Sequence, residues 1–442
     1  MDQSFFLTRV LEVFDEYADR VLFRHSTSDL TYAEAGRRLR RLHAAMPPLT
    51  GKTVAISAGN HPDAVLAQLA AQLRGARVLL IAASAPPSDR KSALDAADAV
   101  LLDPAELDAE PVEITVPARA ETVFTSGGTT GAPKLIRHSG TYEGMVHVFH
   151  PDPAGPNRIL VVAPISHLTG NAAVLGALLC GDTVVLHDGF SPDAVVAALS
   201  ADRITRFSLT PARLGAVLDH PALAEADLSS LRAVSLGASA LPVHRLEQAL
   251  AVFGPIVGQG YGLTEAPMIA TITAAEYAGH PARLASVGRI VPGMRARIGD
   301  DGEVLVQGLS LMDGYLDRPL DGDWLRTGDL GHFDEDGYLY LHGRADDVIV
   351  TGEHGTKVHP TRVEEALVSH PRVRQSAVVG RSTPDGPVLH AVVVPDGEVT
   401  ADELRAHVAA ELVQPHFVPA TVEFRASLPL THIGKLDRKR LR

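Results

Sequence analysis

The chain has 442 residues, 45% of them hydrophobic and 21% charged, and its formal net charge is −13. This length exceeds what one hydrophobic core usually serves, so we expect two or more domains. The acidic balance argues against a general nucleic-acid or anionic-membrane binder, because both partners require a basic field on the protein. No uninterrupted apolar run reaches the length of a membrane span and the N-terminus lacks a signal-peptide pattern, so we expect a cytoplasmic protein.

Short aliphatic strands alternate with longer helical patterns over the first two thirds of the chain. In order, the patterns predict a helix at 7–17, a strand at 53–57, a helix at 63–73, and strands at 77–81, 159–162 and 183–187. Strand, helix and strand in repetition are typical of parallel sheets covered by helices. We therefore expect an α/β fold here.

From about residue 285 the sequence pattern changes from alternating strands and helices to short strands separated by turns. Short strands at 296–298, 303–306 and 338–341 are separated by turn signals such as Asp334-Glu-Asp-Gly337. A final unit follows, with a helix at 360–368, strands at 376–379 and 389–394, a helix at 400–412 and a closing strand. This order predicts a small α+β domain at the C-terminus.

The strongest local signal is the segment Phe124-Thr-Ser-Gly-Gly-Thr-Thr-Gly-Ala-Pro-Lys134. Glycines permit a backbone curvature that points N–H groups at an anion, and hydroxyls add donors. The segment predicts a phosphate-binding loop, whose candidate residues are Thr125, Ser126, Gly127, Gly128, Thr129, Thr130, Gly131 and Lys134. A Walker A loop requires Ser or Thr directly after its lysine, but Leu135 stands there. A plain Ser/Gly/Thr linker does not predict the apolar flanks or the Pro-Lys ending.

With its flanks, this loop resembles the phosphate-binding loop of the adenylate-forming superfamily, which comprises acyl-CoA synthetases, peptide-synthetase adenylation domains and luciferases. Its ending, Pro133-Lys-Leu-Ile136, is closest to the aryl-acid AMP ligases. The resemblance runs from Leu30 to Lys435, nearly the whole chain. It implies a large N-terminal adenylating domain, residues 1–343, built from two αβ subdomains and a distorted β-barrel. A small, mobile α+β lid domain, residues 344–442, would follow.

The segment Gln259-Gly-Tyr-Gly-Leu-Thr-Glu265 resembles the family's next signature. The resemblance implies that Tyr261 lies against adenine, that Thr264 contacts phosphate and that Glu265 helps to hold Mg²⁺. The residue types suit these roles, because a carboxylate is a hard oxygen ligand and a tyrosine ring offers a flat stacking face.

Three later motifs complete the resemblance: Trp324-Leu-Arg-Thr-Gly-Asp329, Gly343-Arg-Ala-Asp-Asp347 and Pro429-Leu-Thr-His-Ile-Gly-Lys435. They imply that Asp329 accepts hydrogen bonds from the ribose hydroxyls and that Arg344 reaches the nucleotide. Asp346 would be the hinge between the domains, and Lys435 would enter the site during adenylation. A compact cation on a long stem suits that last role, because it can bridge the attacking carboxylate and the α-phosphate.

Two segments bear on the acid. Ala163-Pro-Ile-Ser-His167 resembles the stretch in which a histidine borders the acyl pocket, and Leu236-Gly-Ala-Ser-Ala-Leu241 resembles the lining of the adenine and acyl pockets. The candidates are His167, Gly237, Ala238 and Ser239. Leu168 stands where aryl-acid enzymes that read a 2-hydroxyl usually carry Asn, which argues against a salicylate-like acid.

The expected function is therefore that of an ATP- and Mg²⁺-dependent ligase, which converts a small-molecule carboxylic acid into its acyl-adenylate and pyrophosphate. The acyl group would pass to the thiol of coenzyme A or of an acyl carrier protein's phosphopantetheine, in a monomer or a homodimer. Transfer to an amine and activation of an unusual acid such as nitrite stay open. A non-catalytic nucleotide sensor is the alternative from another class.

Overall fold

The structure is a computed structural model that describes residues 3–26, 28–126, 134–351, 356–383, 386–431 and 436–441. Up to residue 148 the elements are α1 (Phe5–Glu16), β1 (Val21–His25), β2 (Ser28–Thr31), α2 (Tyr32–Ala45), β3 (Thr53–Ala58), α3 (Pro62–Leu73), β4 (Arg77–Ala82), α4 (Pro87–Ala97), β5 (Ala99–Leu102), β6 (Glu121–Ser126), β7 (Lys134–His138) and α5 (Gly140–Val148). From residue 158 to 308 they are β8 (Arg158–Val161), α6 (Leu168–Leu179), β9 (Thr183–Leu186), α7 (Pro192–Ala201), β10 (Arg206–Leu209), α8 (Pro211–Leu218), β11 (Ala233–Gly237), α9 (Val243–Phe253), β12 (Val257–Leu263), β13 (Ala266–Ile272), α10 (Ala274–Tyr277), β14 (Arg289–Ile290), β15 (Met294–Ile298) and β16 (Glu303–Gly308). The last are β17 (Gly314–Tyr315), β18 (Leu325–Phe333), β19 (Leu339–Arg344), β20 (Ile349–Thr351), β21 (Thr356–Val358), α11 (Pro360–Val368), β22 (Val373–Thr383), β23 (Gly386–Pro395), α12 (Ala401–Leu412) and β24 (Thr421–Phe424).

Two large sheets, each with a parallel centre, organise the first two thirds of the chain. One has the order β14-β13-β12-β11-β10-β8-β9-β1-β2 and the other the order β17-β7-β6-β4-β3-β5. Neighbours from β12 to β1 are parallel, and so are those from β6 to β5. The carboxyl ends of these strands share one edge of each sheet, where ligands bind in open α/β sheets. The predicted parallel sheets are confirmed.

Apolar burial joins the two sheets into one body. Strand β3 and helix α3 are buried along nearly their whole lengths, as expected of elements covered on both sides. A single core cluster contains Val54 and Phe124 from one sheet together with Leu22 and Val184 from the other. The N-terminal part therefore holds its two sheets in a fixed relation, which a site between them requires.

The region after residue 285 forms a four-stranded antiparallel sheet of order β15-β16-β18-β19, where the sequence predicted a small distorted barrel. The smaller C-terminal unit has the three-stranded sheet β22-β23-β24, the hairpin β20–β21 and the helices α11 and α12 around its own core. Helix α11 begins at Pro360, which suits the first helical position. Helix α12 begins one residue after Thr400, because Thr400 and Glu403 form a capping box there. The predicted α/β class, with a large N-terminal and a smaller C-terminal part, is confirmed. Among the described helices, none combines the length and apolar character needed to cross a bilayer.

Candidate nucleotide and acid site

The base of the glycine-rich loop is an antiparallel pairing between β6 and β7. Ser126 pairs with Lys134 and Thr125 pairs with Leu135, so the two strands lie side by side up to the two ends of the loop. The predicted loop residues Gly127, Gly128, Thr129, Thr130 and Gly131 lie outside the described part of the chain. The structure therefore places Thr125, the backbone of Ser126 and the exposed Lys134 at the loop's base.

Thr264 and Glu265 form the two-residue turn between β12 and β13. Leu263 pairs with Ala266 across this antiparallel hairpin, which leaves only these two residues at its tip. Gly262 is required here, because a Cβ at that position would lie 2.1 Å from the carbonyl oxygen of Pro267. The strand β12 is parallel to β11, so the turn projects from the carboxyl edge of the sheet.

The loop base and the turn are tied together through His138, at the end of β7. Its Nε2 lies 2.7 Å from the Thr264 carbonyl oxygen, and its Nδ1 lies 2.9 Å from Thr141 Oγ1. A carbonyl can only accept, so Nε2 carries the proton and Nδ1 accepts from the threonine hydroxyl. Burial lowers the pKa of His138, which favours this neutral form. The motifs did not single out His138, because its partner is 126 residues away in the chain.

A second tie runs through Tyr315 on β17, which pairs with β7. The Tyr315 hydroxyl donates to Glu265 Oε1 at 3.4 Å, and Lys134 Nζ lies 5.7 Å from the centre of the same ring. The structure thus places Lys134, which was predicted to bind phosphate, and Glu265, which was predicted to bind the metal, next to one tyrosine. The sequence patterns had not identified this tyrosine.

The residues predicted for adenosine also meet in space. The Tyr261 hydroxyl donates to Asp329 Oδ2 at 2.6 Å, and Arg344 Nη1 donates to Asp329 Oδ1 at 3.2 Å. Arg344 Nη1 also donates to the Thr327 carbonyl oxygen at 2.8 Å. Tyr261 is only 8% exposed, and burial, then the Asp329 charge, raises its pKa, so its hydroxyl remains a donor. Three residues from separate motifs therefore form one hydrogen-bonded group.

The segment 237–239 leaves the carboxyl end of β11, beside β12. Gly237 pairs with Gly260, and a Cβ on Gly237 would lie 2.6 Å from the Gly260 carbonyl oxygen. Ala238 has a φ of 70°, a conformation that residues with a side chain seldom adopt. Ala238 and Ser239 are both exposed at this edge, next to the strand that carries Tyr261.

His167 occupies the N-cap position of α6, at the end of the loop that follows β8. It is partly exposed, and its carbonyl oxygen accepts from the Asn171 backbone at 3.0 Å. The loop before it is held by the buried Asn60, whose Oδ1 accepts from Ile165 N at 2.9 Å and whose Nδ2 donates to Ala163 O at 3.1 Å. Asn60 lies after β3 in the other sheet, so sequence spacing gave no signal for it.

The hinge candidate Asp346 is exposed, in a short 3₁₀ turn at Ala345–Asp347 that directly follows Arg344. Lys435 lies outside the described residues. On either side of it in the chain, Leu430 and Leu436 form an antiparallel bridge. Arg438 then pairs with Glu364 on α11, which fixes the end of the chain to the C-terminal unit.

The donor set suits a magnesium ion carried by a nucleotide. Within the described ranges, no group of three or more His, Cys, Asp or Glu side chains is placed to hold a metal. Magnesium usually keeps several waters and binds through one or two carboxylates together with substrate phosphates. The partly buried Glu265 beside the loop base fits that mode of binding.

Comparison with known proteins agrees with this geometry. The family model for AMP-binding enzymes matches residues 104–316, and the model for the AMP-binding enzyme C-terminal domain matches residues 362–435. The feruloyl-CoA synthase of Amycolatopsis sp is 34% identical to this chain, over 95% of this chain and 94% of that protein.

Two solved structures are similar over almost the whole chain. The amide bond synthetase McbA from Marinactinospora thermotolerans is 31% identical, with a TM-score of 0.86 and coverage of 99% of this chain and 98% of that one. The o-succinylbenzoate coenzyme A synthetase from Bacillus subtilis, in complex with ATP and magnesium ion, is 26% identical, with a TM-score of 0.84 and coverage of 98% of both chains. The chain therefore belongs to the AMP-binding enzyme family, and it is an AMP-forming acid ligase.

Proposed function

We propose that this enzyme activates a small-molecule carboxylic acid by attack of the carboxylate oxygen on the α-phosphorus of ATP. The bond between the α-phosphorus and the bridging oxygen breaks, and its electron pair leaves with pyrophosphate. The observation that carries the proposal lies on β12 and the turn that follows it. Tyr261, bonded to Asp329, and Thr264, tied to the loop base, are three residues apart, or about 10 Å along a strand. That spacing suits adenosine at one end and phosphates at the other.

The nucleotide would be held by groups at both ends of this spacing. Asp329 would accept from the ribose hydroxyls while the Tyr261 ring lies against adenine, and residues 237–239 would line the adenine and acyl pockets. Thr264, Lys134 and the loop residues 125–131 would donate to the phosphates. When bound, Mg²⁺ neutralises charge on the phosphates, and Glu265 is the side chain that would hold it.

Two cations would act at the reacting end. Arg344 already contacts Asp329 and would reach the nucleotide from the same side. Lys435 would enter from the C-terminal unit and bridge the attacking carboxylate and the α-phosphate. His167 would border the pocket for the acid, because its loop follows a strand of the same parallel set.

For the second step we favour a thiol acceptor, supplied by coenzyme A or by an acyl carrier protein. The sulfur would attack the acyl carbonyl carbon, and AMP would leave with the electrons of the broken anhydride bond. The small unit, residues 344–442, would rotate about Asp346 between the two steps. The 34% identity to a feruloyl-CoA synthase over nearly the full chain supports this choice. An amine acceptor is the second candidate, because McbA matches 99% of the chain.

A release assay tests the first step. Pyrophosphate is measured with ATP, Mg²⁺ and a panel of short, fatty, aryl and amino acids plus nitrite. We expect release with carboxylic acids, and strongest release with one class of them. Release with nitrite alone would replace the carboxylate assignment. Tight ATP binding with no release from any acid would favour the non-catalytic sensor.

A competition then tests the acceptor. The best acid is incubated with coenzyme A, with phosphopantetheine on a carrier protein, and with a panel of amines. We expect the thioester with coenzyme A or the carrier to form fastest. Faster amide formation at equal acceptor concentration would assign the chain to amide synthesis instead.

A further inference from the structure

Residues 312–316, which lie between β16 and β18, link two parts of the site. These are the hairpin formed by β6 and β7 around the glycine-rich loop, and the Thr264–Glu265 turn. Met312 N donates to the Glu265 carbonyl oxygen at 2.8 Å, and Leu316 N donates to the Leu135 carbonyl oxygen at 2.8 Å. The middle part of this segment, β17, pairs with β7. Both chain segments that carry the proposed phosphate-binding residues are thus hydrogen-bonded to this connector, residues 312–316.

The side chain at the centre of this connector is Tyr315. Its hydroxyl donates to Glu265, and its ring lies beside the Lys134 ammonium, at the distances given above. Arg318 adds a second cation, 4.9 Å from the ring centre. A carboxylate only accepts, so the tyrosine hydroxyl is the donor in this bond.

This arrangement brings two side chains of opposite charge to one tyrosine. Lys134 and Glu265 both contact Tyr315, and the described residues place no ion pair between the two. A ring attracts a cation through its quadrupole without consuming the cation's charge, and a hydroxyl donor leaves the other carboxylate oxygen available. A direct pair would leave each partner less able to meet a phosphate or a metal.

We infer that Tyr315 is a positioning residue for adenylation: its hydroxyl orients Glu265 toward the metal on the nucleotide, and its ring keeps Lys134 apart from Glu265 for the phosphates. This inference rests on the proposed function, and it assigns a role to a residue outside the motifs that carry that proposal. A group that orients a metal ligand typically changes metal affinity by about 10–100-fold when it is removed.

Two substitutions separate the two halves of this role. Tyr315→Phe keeps the ring beside Lys134 and removes the hydroxyl bond to Glu265, whereas Tyr315→Leu removes both. Tyr338→Phe is the matched control, because the Tyr338 hydroxyl donates to another glutamate, Glu276, at 3.2 Å outside the proposed site. All three variants keep the full chain and are compared with wild type by thermal unfolding.

The readout is ATP binding by calorimetry, with EDTA and across a titration of Mg²⁺, which needs no knowledge of the acid. For Tyr315→Phe we expect Mg²⁺-free affinity within about twofold of wild type and a half-saturating Mg²⁺ concentration about tenfold higher. For Tyr315→Leu we expect the Mg²⁺-free affinity to fall as well, by about two- to fivefold. Tyr338→Phe should leave both values unchanged.

The outcomes distinguish this inference from the proposed function. If wild type shows no Mg²⁺-dependent ATP binding, both are overturned. If wild type binds as expected and Tyr315→Phe has the same Mg²⁺ dependence, only the role of Tyr315 is overturned. Equal weakening of ATP binding with and without Mg²⁺ in Tyr315→Phe, or a lowered unfolding temperature alone, would assign Tyr315 a structural role and overturn the inference.

Discussion

Replacing Asp329 by Ala tests the adenosine half of the proposed site. The Asp329 side chain is 15% exposed, and its two oxygens accept from Tyr261 and Arg344. Without the carboxylate, the buried Tyr261 hydroxyl loses its charged acceptor, which costs about 1–3 kcal/mol of unfolding free energy. Arg344 is 47% exposed and is rehydrated, so its lost pair adds less than about 1 kcal/mol.

The sharper consequence concerns the ribose. A hydrogen bond from a hydroxyl to a carboxylate contributes about 1.5–3 kcal/mol, so two such bonds predict that wild type binds ATP at least about 100-fold more tightly than 2′,3′-dideoxy-ATP. In Asp329→Ala we expect this ratio to fall to near one. Asp301→Ala, which removes an exposed carboxylate paired with Arg326 on the same sheet, should retain the wild-type ratio.

The assay is calorimetric titration of the two nucleotides into each protein at fixed Mg²⁺. Affinity for ATP alone does not decide the question, because local unfolding in Asp329→Ala weakens both nucleotides together. The ratio is independent of that loss. Undiminished discrimination between the nucleotides by Asp329→Ala would refute the ribose assignment.

Three further predictions follow from the same structure and sequence. Lys435→Ala should lower adenylation by orders of magnitude but preserve thioester formation from supplied acyl-adenylate, and Lys439→Ala should affect neither step. His138→Leu removes the donor to the Thr264 carbonyl and should lower the unfolding free energy by about 1–3 kcal/mol in urea titrations, with weaker Mg²⁺-ATP binding. Burial, with the charge of Arg74, lowers the pKa of His43 to about 4. In the unfolded chain His43 binds a proton below about pH 6.5, whereas in the folded protein it stays neutral to about pH 4. Between pH 7 and pH 5 the unfolding free energy of wild type, measured by urea titration, should therefore fall by about 2 kcal/mol more than that of His43→Leu.

Each of these has a contrary result. Equal loss of both half-reactions in Lys435→Ala would contradict a lysine that serves adenylation only. Unchanged Mg²⁺-ATP binding in His138→Leu would mean that the bond to the Thr264 carbonyl stabilises the fold without positioning the Thr264–Glu265 turn for the nucleotide. If wild type and His43→Leu respond equally to acid, then His43 is not the buried neutral group that the structure indicates.

Local patterns were sufficient for many of the elements and for the order of the motifs. Helix α11 was predicted with its observed bounds, because Pro360 marks its first turn. The apolar flanks noted on either side of the glycine-rich loop form the strands β6 and β7, although their pairing was not predicted. These features depend on residues that are near neighbours in the chain.

The connections between the motifs could not be predicted in this way. Tyr315 is 50 residues from Glu265, and Asn60 is 105 residues from Ile165. A tyrosine in a turn-rich stretch and an asparagine after a strand both look like ordinary loop residues until the sheets are assembled. The bond between Tyr261 and Asp329 likewise depends on the position of β18 relative to β12, which no local pattern determines.

The most direct test of acyl-adenylate formation uses isotopic oxygen. The best acid from the release assay is labelled with ¹⁸O in its carboxylate and turned over with ATP, Mg²⁺ and the preferred acceptor, and the AMP produced is measured by mass spectrometry. Attack of the carboxylate on the α-phosphorus predicts that one ¹⁸O from the acid appears in the phosphate of AMP. Unlabelled AMP, or ADP with phosphate in its place, would contradict adenylation of the acid.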